Sequence, residues 1–385
     1  MDFHLTEDQL AMQEMARKFS KNEIAPLAET LDVESRFPAE NFAKMADLGL
    51  LGVVVPEAYG GVGQSILTCC VVMEEIAYSC PATALSFLVH AVLVGHNMSC
   101  NASEEQKQRY LPDICAGKKI GAIAMTEPGY GSDVLSMQTF AERKGDEYII
   151  NGSKTFITNA PVADVFLVYV RTDKDAGPRG LSQFIVDRDA PGLTIGQPFK
   201  KMGLRGSPTA QMFFEDCRVP VANLVRGENK ALGILLGGLD VERTVGACMG
   251  VGGLRAALDK SVAYTLERQQ FGQPLFMHEM VAEKLANMSM DLEAAKMLTY
   301  KAACLCDEGV QCPAEAAHAK LFASEAFMRA ASETVQILGG YGYMQEYGAE
   351  RMMRDAKLGT IGGGTSEIQR ILIAREVIKG AMQMG

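Results

Sequence analysis

The chain has no tryptophan, no Cys-x-x-Cys pair and no uninterrupted apolar run of eighteen residues. A bilayer-spanning helix needs about 20 predominantly apolar residues, so no membrane insertion is expected. Ten cysteines are scattered from Cys69 to Cys312, a pattern of reduced thiols in a reducing compartment rather than of a disulfide framework. Cys304, Cys306, Cys312 and His318 come nearest to a metal cluster. Their surroundings read as helix and match no zinc spacing, so no metal site is expected. G-x-G-x-x-G and Walker A motifs are absent, which argues against a nicotinamide cofactor in a βαβ fold. A basic excess is also missing. Asp and Glu outnumber Lys and Arg by 47 to 37, for a net charge of -10, and this argues against a general nucleic-acid binder.

What is present is a chain of 385 residues, 48% hydrophobic, enough for one large domain or two to three cooperating ones. Its 22 methionines suit an adaptable interior, because Met fills irregular gaps. The opening residues Met1, Asp2, Phe3, His4, Leu5 and Thr6 lack a targeting pattern. This predicts a bacterial cytoplasmic protein, or a mitochondrial matrix form whose leader has been removed.

From Thr6 to about Leu111, apolar residues recur at helical spacing, broken at Pro26, Pro38, Pro56, Gly60-Gly61 and Pro81. Between about Ile120 and Arg226 the pattern turns to short β-type runs: Glu147 to Ile150, Thr155 to Thr158, Val165 to Val170 and Leu181 to Val186. Asn151-Gly152 reads as the hairpin turn between the first two. From Ala231 onward, helical periods return. The domains expected are therefore helical (1–120), β (121–228) and helical (229–385), an α+β chain.

Four segments carry the chemistry. Met125-Thr126-Glu127-Pro128-Gly129-Tyr130-Gly131-Ser132-Asp133 is a turn-rich stretch with amides and hydroxyls suited to polar ligand atoms. In Lys154 to Asn159, Phe156 and Thr158 share one strand face and can flank a flat ring. In Gly238-Leu239-Asp240-Val241-Glu242-Arg243, Asp240 and Arg243 stand three apart and can simply pair on a solvated face. Glu242 lies off that pair among apolar neighbours, where a raised pKa makes a carboxylate a candidate general base. In Arg354 to Arg370, Gly362, Gly363 and Gly364 lead into a helix that Glu367 can cap if Gly364 is the N-cap residue. Bare backbone there lets a flat or anionic ligand approach closely.

In this order the four segments resemble the acyl-CoA dehydrogenase family, over essentially the whole chain from Leu5 to Gly380. The stretch Met125 to Asp133 and the Met353-Arg354-Asp355-Ala356-Lys357 stretch are similar to that family's signature regions. The resemblance implies an N-terminal helical domain, a middle β domain and a C-terminal four-helix bundle, a homotetramer, and FAD between the latter two domains reaching a neighbouring subunit. It places Met125, Thr126, Phe156 and Thr158 at the flavin and ribityl chain, with Thr365 and Glu367 nearby. It places Arg268, Phe271, Gln336, Gly339 and Gly340 at the adenine and pyrophosphate half, and Ser132, Asp240 and Arg243 along the CoA arm. Electrons would pass to an electron-transfer flavoprotein.

One departure is informative. Most of the family has its catalytic glutamate just before the Gly-Thr of the fourth segment, where this chain has Gly363. Members lacking it, isovaleryl-CoA dehydrogenase and a long-chain branch, carry the base at the position of Glu242. The chain thus resembles the isovaleryl-CoA dehydrogenase-like branch, although that enzyme has a tyrosine where Gly359 stands. Gly359, Gly362 and Gly363 together predict a widened pocket for a branched, cyclic or aryl-substituted acyl group. The alternatives are a short straight-chain substrate, an acyl-CoA oxidase, and a non-catalytic relative that binds FAD or CoA.

Overall fold

The computed structural model describes residues 4–384, so the reading of Met1 to Phe3 lies outside the described residues. The helical first block comprises α1 (Glu7–Phe19), α2 (Ala28–Glu34), α3 (Ala39–Asp47), α4 (Ile66–Ser79), α5 (Pro81–Phe87), α6 (Asn97–Asn101) and α7 (Glu104–Cys115). Capping boxes start α1 and α7: the Thr6 and Ser103 hydroxyls accept from the amides of Gln9 and Gln106, whose side chains reach back. A π-helical stretch, Leu88–His96, joins α5 to α6. Pro81–Asn101 is long and apolar enough to cross a membrane but mostly buried within the fold, as befits a core helix.

Eight strands follow: β1 (Gly121–Ala124), β2 (Phe140–Lys144), β3 (Glu147–Thr158), β4 (Val165–Arg171), β5 (Leu181–Asp187), β6 (Leu193–Ile195), β7 (Thr209–Pro220) and β8 (Leu224–Val225). They form one sheet in the order β6-β7-β3-β2-β4-β5-β8, with β1 parallel to β4. Every residue of β4 is buried, and its alternation serves two cores. Val165, Leu167 and Tyr169 pack with Val94, Met98, Leu111 and Ile114 of the helical block. Phe166, Val168 and Val170 fill the interior of the β block.

The expected hairpin at Asn151-Gly152 is corrected. The chain reverses at Gly145-Asp146, between the paired residues Lys144 and Glu147, and β3 runs unbroken to Thr158. Gly152 instead marks a register shift against β7, because a Cβ there would stand 2.6 Å from Thr139 Oγ1. Thr139 crowding, not a turn, explains the glycine.

The last block is built on α8 (Ala231–Glu267), followed by the small hairpin β9 (Gln269–Gln270) and β10 (Gln273–Pro274). Then come α9 (Glu279–Asp307), α10 (Pro313–Leu338), α11 (Ala349–Gly359) and α12 (Ser366–Met384). α8 passes between α4 and α10, and small residues let it. A Cβ on Gly252 would stand 2.3 Å from Glu74 O of α4, and one on Gly253 2.4 Å from the Phe327 ring of α10. α8 and α10 run parallel, since Gly250 lies against Ala323 and Ser261 Oγ donates to Thr334 Oγ1 at 3.1 Å.

Arg354 joins all three blocks. Its guanidinium grips the Asp32 carboxylate of α2 at 3.0 and 2.6 Å, donates to Met202 O in the loop before β7 at 3.1 Å, and pairs with Glu350 of its own helix. Next to it, buried Asp355 accepts the Leu204 amide at 2.6 Å, and burial pushes its carboxyl up to about 6. The Arg-Asp pair of the fourth segment is thus a domain junction. Arg354→Gln should cost about 3 kcal/mol, the lower end for breaking a largely buried pair. A denaturation midpoint matching that of the unsubstituted protein would refute this role.

Candidate active site

Glu242 sits in the fourth turn of α8, half-buried at one end of a cavity of about 290 Å³. One wall of this cavity is the first half of α8, from Gly233 to Glu242; the other is Val92, Leu93, His96, Asn97, Cys100 and Asn101. The helical walls are antiparallel. Leu88 stands 3.6 Å from the Cβ position of Gly246, and Asn97 Nδ2 4.0 Å from that of Gly238. Ile123 and Met125 line the corridor from the sheet side, together with Tyr169.

The corridor changes character along its length. Near Glu242 it is apolar, with Val92, Leu93, Leu239 and Val241. Its far end is polar and open, where exposed Arg226 donates to Cys100 O at 3.3 Å. Arg226 has a φ of 58°, strained for a residue with a side chain. Cys100 Sγ lies 3.6 Å from His96 Nε2. Burial alone would raise this thiol, but the His96 contact prevails and holds it below its ordinary range.

Desolvation pushes the Glu242 carboxyl above the usual carboxylate range, with Arg243 and Lys320 opposing the rise. Among the described residues, none donates a hydrogen bond to this carboxylate. The nearest landmark is Gly363: a side chain beginning there would meet Glu242 Oε1 at 3.8 Å and Lys320 Cε at 3.9 Å. Gly363 has a φ of 62°, and its carbonyl and that of Gly364 accept from Gln369 Nε2 at 3.0 and 3.1 Å. Lys320 Nζ also donates to Gly364 O, at 2.6 Å. The carbonyls are therefore clamped to the protein. Among the described residues, the amides of Gly363 and Gly364 find no backbone acceptor.

Met125 and Thr126 follow β1 and are fixed by a buried ion pair. Lys154 Nζ donates to Glu127 Oε1 at 2.9 Å and to Met125 O at 3.0 Å. Glu127 also accepts the amides of Gln138 at 2.6 Å and Thr139 at 2.8 Å. Burial would raise Glu127, but Lys154 and these amides hold it below its ordinary range. Burial pulls Lys154 down to about 8 against the opposing pull of Glu127. The Thr155 amide donates to Thr126 O at 2.8 Å, tying the turn to β3. There a register shift between Lys154 and Ile157 puts Phe156 at a φ of 58° with 67% of its surface exposed. Its ring is 5.6 Å from Phe199, while half-buried Thr158 pairs with Thr209.

The fourth segment needs a correction at its cap. α12 begins at Ser366 and its N-cap residue is Thr365, not Gly364: Thr365 Oγ1 accepts the Ile368 amide at 3.3 Å. Glu367 is exposed on the first turn. The Gly359, Gly362 and Gly363 group does not open a common space either. A Cβ on Gly359 would meet Ser324 Cβ at 3.1 Å and one on Gly362 would meet Leu358 near the end of α11. Gly359 therefore serves packing against α10, and none of the three lines the cavity.

Asp240 and Arg243 pair at 3.7 Å, but not on a solvated face. Arg243 is 7% exposed, its Nε has no partner among the described residues, and burial lowers its pKa. Asp240 accepts the Cys312 amide at 3.2 Å. Ser132 is exposed, outside the cavity lining. Arg268, Phe271, Gln336, Gly339 and Gly340 are all exposed, gathered at the common end of the parallel helices α8 and α10. Phe271 is 96% exposed, and a Cβ on Gly339 or Gly340 would have open space around it.

Sequence reasoning missed Lys320, Gln369, Lys154, Tyr169 and Arg226. Lys320 carried a signal: it is a lone charge among Ala316, Ala317, Ala319 and Leu321.

An exposed aromatic on a bulged strand, a glycine turn with free amides and a desolvated carboxylate beside that turn suit a flat redox ring and a substrate that must lose a proton. That combination defines a flavin-dependent oxidoreductase acting on carbon–carbon bonds. The chain belongs to the acyl-CoA dehydrogenase family. The N-terminal, middle and C-terminal domains of that family match residues 6–118, 122–217 and 231–378. A probable acyl-CoA dehydrogenase of Bacillus subtilis, YngJ, is 46% identical over 380 residues, covering 98% of this chain and 100% of that protein. Cyclohex-1-ene-1-carbonyl-CoA dehydrogenase of Syntrophus aciditrophicus is 43% identical, covering 97% and 91%. The structure of butyryl-CoA dehydrogenase from Megasphaera elsdenii superposes with a TM-score of 0.96 at 37% identity, covering 98% and 100%. The cofactor is FAD.

Lys154→Met would leave Glu127 charged, buried and unpaired, at a cost of about 3–5 kcal/mol. The expected result is a lower denaturation midpoint and loss of flavin from the purified protein. Full flavin content with an unchanged midpoint would refute the role of this pair.

Proposed function

We propose that the chain oxidises the α,β bond of a compact branched or cyclic acyl-CoA to the 2-enoyl-CoA, with Glu242 as the base. The observation that carries this reading is the 3.8 Å approach of Glu242 Oε1 to the Cβ position of Gly363. A carboxylate on α8 thereby reaches the place that a side chain at 363 would fill. The apolar wall raises its proton affinity into a range suited to abstraction.

The thioester would lie along the corridor with its CoA end at the polar mouth, where Arg226 can meet phosphate. The free amides of Gly363 and Gly364 are suited to the thioester oxygen as charge develops there, in the manner of an oxyanion hole. Glu242 takes the α proton. Met125, Thr126, Phe156, Thr158 and Thr365 would hold FAD, which when bound accepts the β hydride. A compact acyl end suits the corridor's volume of about 290 Å³. A cyclic acyl group also fits the 43% identical relative named for one.

We further infer that the FAD site is completed by another copy in a homotetramer, with an electron-transfer flavoprotein as electron acceptor. Arg268 is about 39 Å from Glu242 along α8 at 1.5 Å per residue. This exceeds the reach of a single dinucleotide, so the exposed group at Arg268, Phe271 and Gly339 suits the FAD of a neighbour.

Anaerobic bleaching of the bound flavin by a panel of acyl-CoAs tests the substrate. Fastest bleaching by isovaleryl, 2-methylbutyryl or alicyclic thioesters is expected; fastest bleaching by a straight chain would overturn the branched or cyclic assignment. With the best substrate, Glu242→Gln should bind FAD normally and lose at least about 10³-fold in bleaching rate. Retained rate would assign the base elsewhere.

A further inference from the structure

Lys320 is buried, 6% exposed, on the face of α10 turned to the active site, and no step of the reaction described so far employs it. Two contacts define its place. Its Nζ donates to Gly364 O at 2.6 Å, and its Cε lies 3.9 Å from the Cβ position of Gly363, the same point that Glu242 Oε1 approaches to 3.8 Å. Lys320 and Glu242 thus face one another across the Gly363 turn without forming a direct ion pair: no contact within 4.0 Å joins them among the described residues. A cation at this separation attracts the carboxylate without occupying the oxygens that must receive a proton.

We propose that Lys320 is a positioning residue for the reaction, its ammonium locking the Gly363-Gly364 turn through Gly364 O while its charge keeps Glu242 anionic until substrate arrives. This rests on Glu242 being the base. The two roles are coupled by geometry. Holding Gly364 O toward α10 leaves the amides of Gly363 and Gly364 free for the thioester oxygen. The same ammonium offsets part of the desolvation of the carboxylate. When Glu242 takes the α proton, its charge vanishes beside Lys320, and negative charge develops on the thioester oxygen, at the turn that Lys320 braces, until the β hydride departs.

Other groups share the neighbourhood. Arg243 and Asp240 flank Glu242 on α8, Tyr169 faces it from β4, and His96 and Cys100 stand along the opposite wall of the corridor. Arg243 also lowers the Glu242 pKa, and Lys320 itself, drawn down to about 8 by burial, is supported by Glu242, Glu325 and Glu367 and opposed by Arg243. Arg243 is committed to Asp240 and touches none of the turn carbonyls, so among the described residues only Lys320 carries a charge that links the base to the turn.

The test uses Lys320→Gln, which can still donate to Gly364 O but carries no charge, alongside Lys320→Arg and Lys320→Met, all as FAD-loaded protein. Two readouts apply: the pH dependence of single-turnover flavin bleaching, and an infrared titration of the Glu242 carboxyl band, assigned by its loss in Glu242→Gln. Expected is an acid limb and a carboxyl titration moved upward by roughly one pH unit in Lys320→Gln. Lys320→Arg should restore most of the shift. Lys320→Met should add a fall in the pH-independent rate. Unmoved titration of Glu242 in Lys320→Gln overturns the proposal even if the rate drops, because a merely structural lysine would lower the rate at every pH alike. The infrared titration needs no substrate, so it decides the role of Lys320 if the substrate panel fails. Failure of the base assignment shows separately, as full bleaching in Glu242→Gln.

Discussion

The grip of Arg354 on Asp32 fixes this molecule, because one guanidinium binds a helix of the first block, a carbonyl of the β block and a helix of the third. With Asp355 holding the Leu204 amide from the adjacent position, α11 cannot shift without moving the loop before β7. Five residues after α11 the chain reaches Gly364, so this junction also fixes where the glycine turn stands relative to α8 and the sheet. The geometry of Glu242, Lys320 and Gly363 follows from that. A site assembled from three blocks needs such an anchor, since shifts near 1 Å between reacting groups are costly to rate.

The electrostatics of the site balances opposing terms. Burial makes Glu242 a stronger base by penalising its charge, and Arg243 and Lys320 limit how far that goes. A similar balance holds at the Met125 turn, where burial disfavours both Lys154 and Glu127 and their contact at 2.9 Å compensates. Such pairs contribute less to net stability than to uniqueness of placement, as replacing a whole buried pair is often neutral while breaking it is not. Here the placement is that of two backbone segments, Met125 to Glu127 and Lys154 to Phe156, which carry the residues proposed to hold FAD.

Some features were legible because they are local. Helix and strand periods separated the three blocks, and apolar neighbours marked Glu242 as the desolvated carboxylate. The Asn151-Gly152 reading failed because a glycine signals unusual backbone without saying whether a turn or a crowded neighbour demands it; here Thr139 does. The Gly359 reading failed likewise, since the missing side chain makes room for Ser324 of α10 rather than for a ligand.

The sequence by itself thus determined the order of the blocks and the family, and singled out Glu242 as the candidate base, because each rests on residues close together in the chain. Only the tertiary structure decided that Lys320, 78 positions from Glu242, approaches the same point at Gly363, and that Arg354 is a junction. These depend on contacts between segments far apart in the chain: α10 against α8, and α11 against α2 and the loop before β7. No periodicity within a single helix encodes which neighbour will meet its face.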